Sequence, residues 1–300
     1  MIIVCFDAGL GNQMLQFATY LALQQRYPGT RVVADIRKYN IVQIHNGLEI
    51  ERLFPIRLDI LYGKRTNKVS AIGRYGHFLM RKLTLSYFKL AAKRFCIIKD
   101  SGVLNEELFH LDPNKNYYLQ GQWGNEKYFE NVKAELLQRF RFKIDLNAPV
   151  EALAREISMQ NAVSVHIRRG DYIGKDSVFT DLTQQDYYPA AFQHISKTVV
   201  NPVFYIFSDD PAWTSKQYDW LAKYEHRFVE GNRGNDSYRD MQLMSLCKHN
   251  IIANSTFSWW GGWLNQYPGK TVICPRHLFH DTVLNNKIVL EFYPPSWLKM

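Results

Sequence analysis

His166, Arg168, Arg169 and Asp171 fall within six positions of one stretch, AVSVHIRRGDY (residues 162–172), with Gly170 among them. Residues 162–165 are apolar but for Ser164 and include two β-branched valines, the pattern of a short buried strand. A buried strand that ends in two arginines, a glycine and an acid is unusual. In an open α/β sheet, ligands bind at that end of a strand. Alternation puts Val165 and Ile167 on one face and His166 and Arg168 on the other. Arg168 is then a fixed cationic fork at a sheet edge, suited to a phosphate. A structural Arg–Asp pair would account for the same residues. A second polar cluster, Ser255, Thr256 and Ser258, opens a predicted helix through Leu264. Hydroxyls there can be simple caps, and they are also what a diphosphate needs beside free N–H groups and the positive dipole end. Asp209 ends a predicted strand over residues 203–207; it could face a base edge or serve as a second cap beside Asp210. Near the start, Gly9 to Gln13 read as a glycine turn between a strand (residues 2–6) and a helix (residues 14–26). That is a phosphate-type arrangement, but Met14 stands where a dinucleotide fingerprint needs its third glycine. Asn12 and Gln13 suit hydrogen bonds to a sugar instead.

These groups need strand ends to carry them, and the chain supplies an α/β rhythm throughout. Further strands are expected at residues 31–35, 117–122, 228–229, 250–254 and 271–274, the last closing the second sheet. Helices are expected at residues 48–54, 125–140, 150–159 and 186–199. A capping box at Ser237–Asp240 opens another, running to about Lys248. Residues 142–150 read as a linker, giving domains at 1–148 and 149–300.

The 300 residues, 46% hydrophobic and 22% charged, fit a globular protein with no run of 18 apolar residues. The first residues read as a strand, not as a secretory leader. The four cysteines form no CxxC pair; Cys5 and Cys274 sit in strand-like runs and are expected as buried thiols in a reducing compartment. His277 and His280 lack companion ligands for zinc. The net charge of +9 is local: residues 60–99 hold ten bases and no acid, and the other 27 bases face 28 acids. That basic insert (about 60–99) also carries Phe78, Leu79, Leu83 and Phe88, so it suits an anionic membrane surface or a solvated helix face. No nucleic-acid motif accompanies it. The chain contains no P-loop and no D-x-D pair, so a diphosphate here would be neutralised by protein groups, without a metal.

The blocks GLGNQMLQFATYLAL, HNGLEI, GQWGNEKYF, VSVHIRRGDY, FYIFSDDPAW and DSYRDMQLMSLCKHNIIANSTFSWWGGWLN run from end to end. Together they make the chain resemble a bacterial α-1,2-fucosyltransferase of glycosyltransferase family 11. The resemblance implies a GT-B architecture, with two Rossmann-like domains facing a cleft and the donor held mainly by the second. It implies metal-independent, inverting transfer of L-fucose from GDP-fucose to O2 of a terminal galactose on a glycan. Arg168 would bind the β-phosphate, with His166 and Asp171 holding it and Asp209 facing the guanine. Ser255, Thr256 and Ser258 would bind the diphosphate, with Arg169, Asn254 and Phe257 also on the donor side. Gly11, Asn12 and Gln13 would reach fucose and its leaving oxygen, and His45 and Asn46 the acceptor. Asp171, His45 and Asp35 are each conceivable as the base. The same resemblance places the protein in the cytoplasm, peripheral at the inner membrane face. Another linkage such as α-1,6, or a sugar-binding protein without turnover, are the other readings.

Overall fold

The computed structural model describes residues 1–41, 45–61, 95–144, 147–170 and 177–300. Asp171 and nearly all of the basic insert lie outside the described residues. The chain divides into two compact units, Met1–Lys143 and Ile144–Met300. Both are α/β with wholly parallel sheets, as expected for the class. No helix among the described residues is long and apolar enough to cross a membrane.

The first unit builds β1 (Ile2–Cys5), α1 (Leu10–Arg26), β2 (Val32–Asp35), α2 (Arg37–Ile41), α3 (Ile50–Leu53), β3 (Cys96–Lys99), β4 (Tyr117–Gln120) and α4 (Lys133–Arg139). Its strand order is β2-β1-β4-β3. The glycine turn expected at residues 9–13 is instead the start of α1. Gly9 is the cap, and the amides of Asn12 and Gln13 already donate to its carbonyl at 3.0 Å. Leu10 explains the difference: it is buried and opens the apolar face that Met14 and Leu15 continue. Strand β4 ends two residues earlier than expected. Gly121 has φ +154°, and a Cβ there would lie 2.0 Å from Cβ of Asp100. The Asp100 carboxylate takes the amides of Gln122 and Trp123, which turns the chain out of the sheet. The helix expected at 125–140 starts as short 3-10 turns, because Asn125 caps the Lys127 amide, and becomes α only in α4.

The second unit builds α5 (Ala148–Met159), β5 (Asn161–Ile167), α6 (Tyr187–Thr198), β6 (Pro202–Ser208), α7 (Pro211–Gln217), β7 (His226–Val229), α8 (Tyr238–Leu246), β8 (His249–Ile251), α9 (Thr256–Leu264), β9 (Val272–Cys274), α10 (Thr282–Phe292) and β10 (Leu298–Lys299). Strand order is β10-β9-β8-β5-β6-β7. Counted within the unit, this is the doubly wound dinucleotide-fold order, and its switch point lies between β5 and β8. Strand β9 does not close the sheet; the chain's last strand, β10, pairs beyond it. Val163, Val165 and Ile167 pack on one face with Tyr188, Phe192 and Ile195 of α6. The other face holds Ile157, Tyr205, Phe207, Leu243 and Met244. Helices α8 and α9 approach closely, since a Cβ on Gly261 would lie 2.9 Å from Cβ of Met244. Ser237 makes no capping box: at φ −57° and ψ −24° it is already helical, and its side chain does not cap the helix. Cys5, Cys247 and Cys274 are buried thiols, and Cys96 is exposed.

Candidate active site

Strand β5 runs paired with β6 to its end, where Ile167 stands opposite Ser208. Arg168 and Asp209 therefore leave the sheet side by side. Nη1 of Arg168 lies 3.0 Å from Oδ2 of Asp209, and the Arg169 amide donates to Oδ1 of the same carboxylate at 2.9 Å. The Arg169 guanidinium lies over the Trp213 ring, its carbon 3.2 Å from the centroid, with Nε 3.7 Å from Asp210. Asp210 alone caps α7, accepting from the Trp213 amide. Below the turn, the Tyr188 hydroxyl donates to the His166 carbonyl at 2.9 Å.

His166 points to the face opposite Val165, as alternation requires, and its ring lies 5.9 Å from that of Phe257. It is 7% exposed, and its Nδ1 has no partner among the described residues. Burial, and then the Arg168 charge, push its pKa down to about 3, so the imidazole is neutral. Asp209, just past the end of the neighbouring strand, is a side chain that does grip Arg168; Asp171, also expected to hold it, lies outside the described residues.

Across the switch point, β8 is parallel to β5 with Val165 opposite Ile251, so the start of α9 emerges beside the arginine turn. Ser255 caps α9 by accepting the Phe257 amide. Thr256 and Phe257, the first helical residues, are partly exposed. Ser258 is not: it is fully buried, donates to the Ser255 carbonyl and accepts the Ala253 amide. Asn254 is also turned inward, its amide bridging the carbonyls of Thr180 and Leu278. These two side chains shape the loop, and the loop presents Ser255, Thr256 and the helix dipole.

One acid here has no sequence signal beyond its place on a helix. Asp240 lies in the first turn of α8, and burial pushes its carboxyl up to about 7 against a 2.8 Å hydrogen bond from Asn232. In the sequence it stands only as the last residue of the expected capping box, Ser237–Asp240.

In the first unit, Gln13 is fully buried and all its hydrogen-bonding capacity is engaged. Nε2 donates to the carbonyls of Ala8 (3.2 Å) and Gly47 (2.8 Å), and Oε1 accepts the amides of Glu49 (2.8 Å) and Ile50 (3.2 Å). A side chain with no donor or acceptor left cannot also bind a sugar, so Gln13 is a clasp and not a ligand. Gly11 lies buried in the first turn of α1. Asn12 differs: its Oδ1 has no partner among the described residues. His45 has φ +47° and lies against Gly9, where a Cβ would meet its ring at 3.2 Å. Asn46 donates to Glu49, which also takes Arg52 and whose pKa burial raises. Asp35 is unsuited to be the base. Burial alone would raise its pKa, but hydrogen bonds from Arg37 and Tyr118 outweigh that and hold it ionised and enclosed.

The profile of Glycosyl transferase family 11 matches residues 1–298. The Alpha-1,2-colitosyltransferase of Escherichia coli is 30% identical over 305 residues, covering 100% of this chain and 98% of that protein. The O-antigen biosynthesis glycosyltransferase WbnK of Escherichia coli is 30% identical, covering 99% of each. A Galactoside 2-alpha-L-fucosyltransferase SEC1 of Bos taurus is 26% identical over 64% of this chain and 54% of its own length. Among solved structures, the NodZ alpha-1,6-fucosyltransferase soaked with GDP-fucose superposes with a TM-score of 0.53 at 15% identity, covering 88% of this chain and 91% of that one. That likeness is one of fold and supports the GT-B class. A profile spanning nearly every residue and two full-length relatives at 30% identity place this chain in glycosyl transferase family 11.

Proposed function

We propose that this glycosyltransferase moves L-fucose from GDP-fucose to O2 of a terminal galactose on a glycan, with inversion and without a metal ion. The observation that carries the reading is the locked Arg168, at the switch point beside the start of α9. As the C1–O bond breaks, negative charge grows on the diphosphate. A guanidinium and a helix N-terminus already in place favour that state over the ground state. The same two groups would neutralise the diphosphate, which supports metal independence, as does a sequence without D-x-D. Neutral His166 lines the turn, and its Nδ1, without a partner among the described residues, is able to accept from, or donate to, the nucleotide. With Asp209 committed to the arginine turn, Asp240 is the acid we assign to the donor hydrogens of guanine. Asn12, His45 and Asn46 are assigned to the fucose and acceptor side. The name of one full-length relative, an alpha-1,2-colitosyltransferase, supports the α-1,2 linkage, and it names colitose, so the sugar must be read separately from the bond.

The test is GDP release from GDP-fucose in EDTA, with and without lactose, followed by linkage analysis of the product. Lactose-stimulated release that ignores EDTA and yields a 2-linked fucose supports the proposal. Release that needs a divalent cation, or a product linked elsewhere, overturns the corresponding part.

A further inference from the structure

We infer that Asp209 is a positioning residue for Arg168, and that Gly170 is a glycine because it makes room for that carboxylate. This rests on the function proposed above, in which Arg168 meets the diphosphate. Both Asp209 oxygens are engaged with the arginine turn: one with Nη1 of Arg168, the other with the Arg169 amide. The acid therefore fixes a side chain and the backbone that bears it. Its own position is braced. Ile167 and Ser208 are paired in the sheet, the Asp210 amide donates to the Ser208 hydroxyl, and that hydroxyl meets Thr214 of α7 at 3.1 Å. A Cβ added to Gly170 would lie 2.8 Å from Oδ2 of Asp209 and 3.8 Å from the Arg168 guanidinium carbon. The carboxylate is the nearer obstacle, so an alanine there acts on Arg168 chiefly by displacing Asp209.

A guanidinium has five N–H donors, and fixing one of them on a carboxylate sets the plane in which the rest of the fork lies. Orientation set before the reaction costs nothing when charge develops, whereas a misplacement of about 1 Å can cost about a hundredfold. Asp209 does this without touching substrate.

The experiment is a double-mutant cycle of Gly170→Ala and Asp209→Ala, read in donor turnover and in GDP affinity, with unfolding curves to show that each variant is folded. Each single change is expected to lower turnover by about tenfold to a hundredfold. In the Asp209→Ala background, Gly170→Ala is expected to cost less than about threefold, because its obstacle is gone. A second readout separates positioning from base recognition. The ratio of GDP to inosine diphosphate affinity, which senses the guanine 2-amino group, is expected to be the same in Asp209→Ala as in the parent. Costs that multiply in the double variant, or a ratio that collapses in Asp209→Ala, overturn the inference. A parent that binds GDP but transfers no sugar sinks the proposed function, while the coupling is still read in GDP affinity.

Discussion

Replacing Gln13 by alanine should unfold the first unit more readily, not merely silence the enzyme. The side chain satisfies two carbonyls and two amides, all within the β1–α1 turn and the segment from Gly47 to Ile50. Each such bond contributes a net ~0.5–1.5 kcal/mol, and a buried group left unpaired costs about 1–3 kcal/mol. Four bonds at a fully buried site give a loss of about 4 kcal/mol. For a chain of this size each kcal/mol moves the midpoint by roughly 2–4 °C, so the first transition should fall by about 8–15 °C. Gln13→Glu keeps an acceptor for the two amides but turns an anionic oxygen towards the carbonyls of Ala8 and Gly47. It should be at least as damaging at pH 8 and milder near pH 4, where the acid is protonated. Differential scanning calorimetry with and without GDP would assign the affected transition. An alanine variant that loses activity while its midpoint stays within about 2 °C of the parent would refute the clasp and restore a direct sugar contact.

Arg168→Ala should lower turnover by roughly a hundred- to a thousandfold, the usual cost of losing a charge-assisted donor in the transition state. Arg168→Lys should fail nearly as badly, because a point charge cannot hold both the Asp209 carboxylate and a phosphate in one plane; steady-state kinetics on folded variants decides both. Asp240 has a folded pKa of about 7 against an ordinary 3.8. The folded state therefore binds its proton more tightly, and stability should fall as pH rises from about 4 to 7, then level off. Asp240→Asn should flatten that slope and gain a few kcal/mol at pH 8, measured by urea unfolding across pH. Unchanged slopes would show that the carboxyl is not held neutral. Finally, reversing the charge of Lys89, Lys93 and Arg94 should weaken binding to vesicles of anionic lipid, and unchanged binding would remove the membrane contact expected of the basic insert.

The fold was legible where side-chain pattern and chain direction decide it. Val163, Val165 and Ile167 do share a face against α6, and the polar residues of that stretch do emerge at a carboxyl end. The sequence could not say which polar groups face a ligand. Gln13, Asn254 and Ser258 have the types that bind sugars and phosphates, yet each is turned inward. Their partners include backbone groups of Ala8, Gly47, Glu49, Ile50, Thr180 and Leu278 for the amides, and of Ala253 and Ser255 for the hydroxyl. A backbone carbonyl has no residue signature, so no spacing rule could pair Asn254 with Leu278. Nor could composition show that Asp209 meets an arginine turn on the neighbouring strand. That follows from the register of β5 with β6, which brings residues some 40 positions apart side by side.

The motifs therefore carry two kinds of residue at once, and the difference is physical. In the run Asn254 to Ser258, the amide and the last hydroxyl hold the loop to the core, and Ser255 caps the helix. Thr256 is left partly exposed where the dipole is positive. In the run Gly9 to Gln13, the last residue is a clasp, and Oδ1 of Asn12 has no partner among the described residues. A ligand group must be presented by neighbours that are themselves fully satisfied, since a buried polar atom without a partner is costly. The same logic joins Asp209 to Arg168. An anion braced by the sheet, Asp209, holds the cation in place. Losing a scaffold residue should thus cost stability or orientation, and losing a presented one should cost binding or turnover at unchanged stability. Gln13→Ala and Arg168→Ala sit at the two ends of that scale, and measuring midpoint and turnover for both would test the division itself.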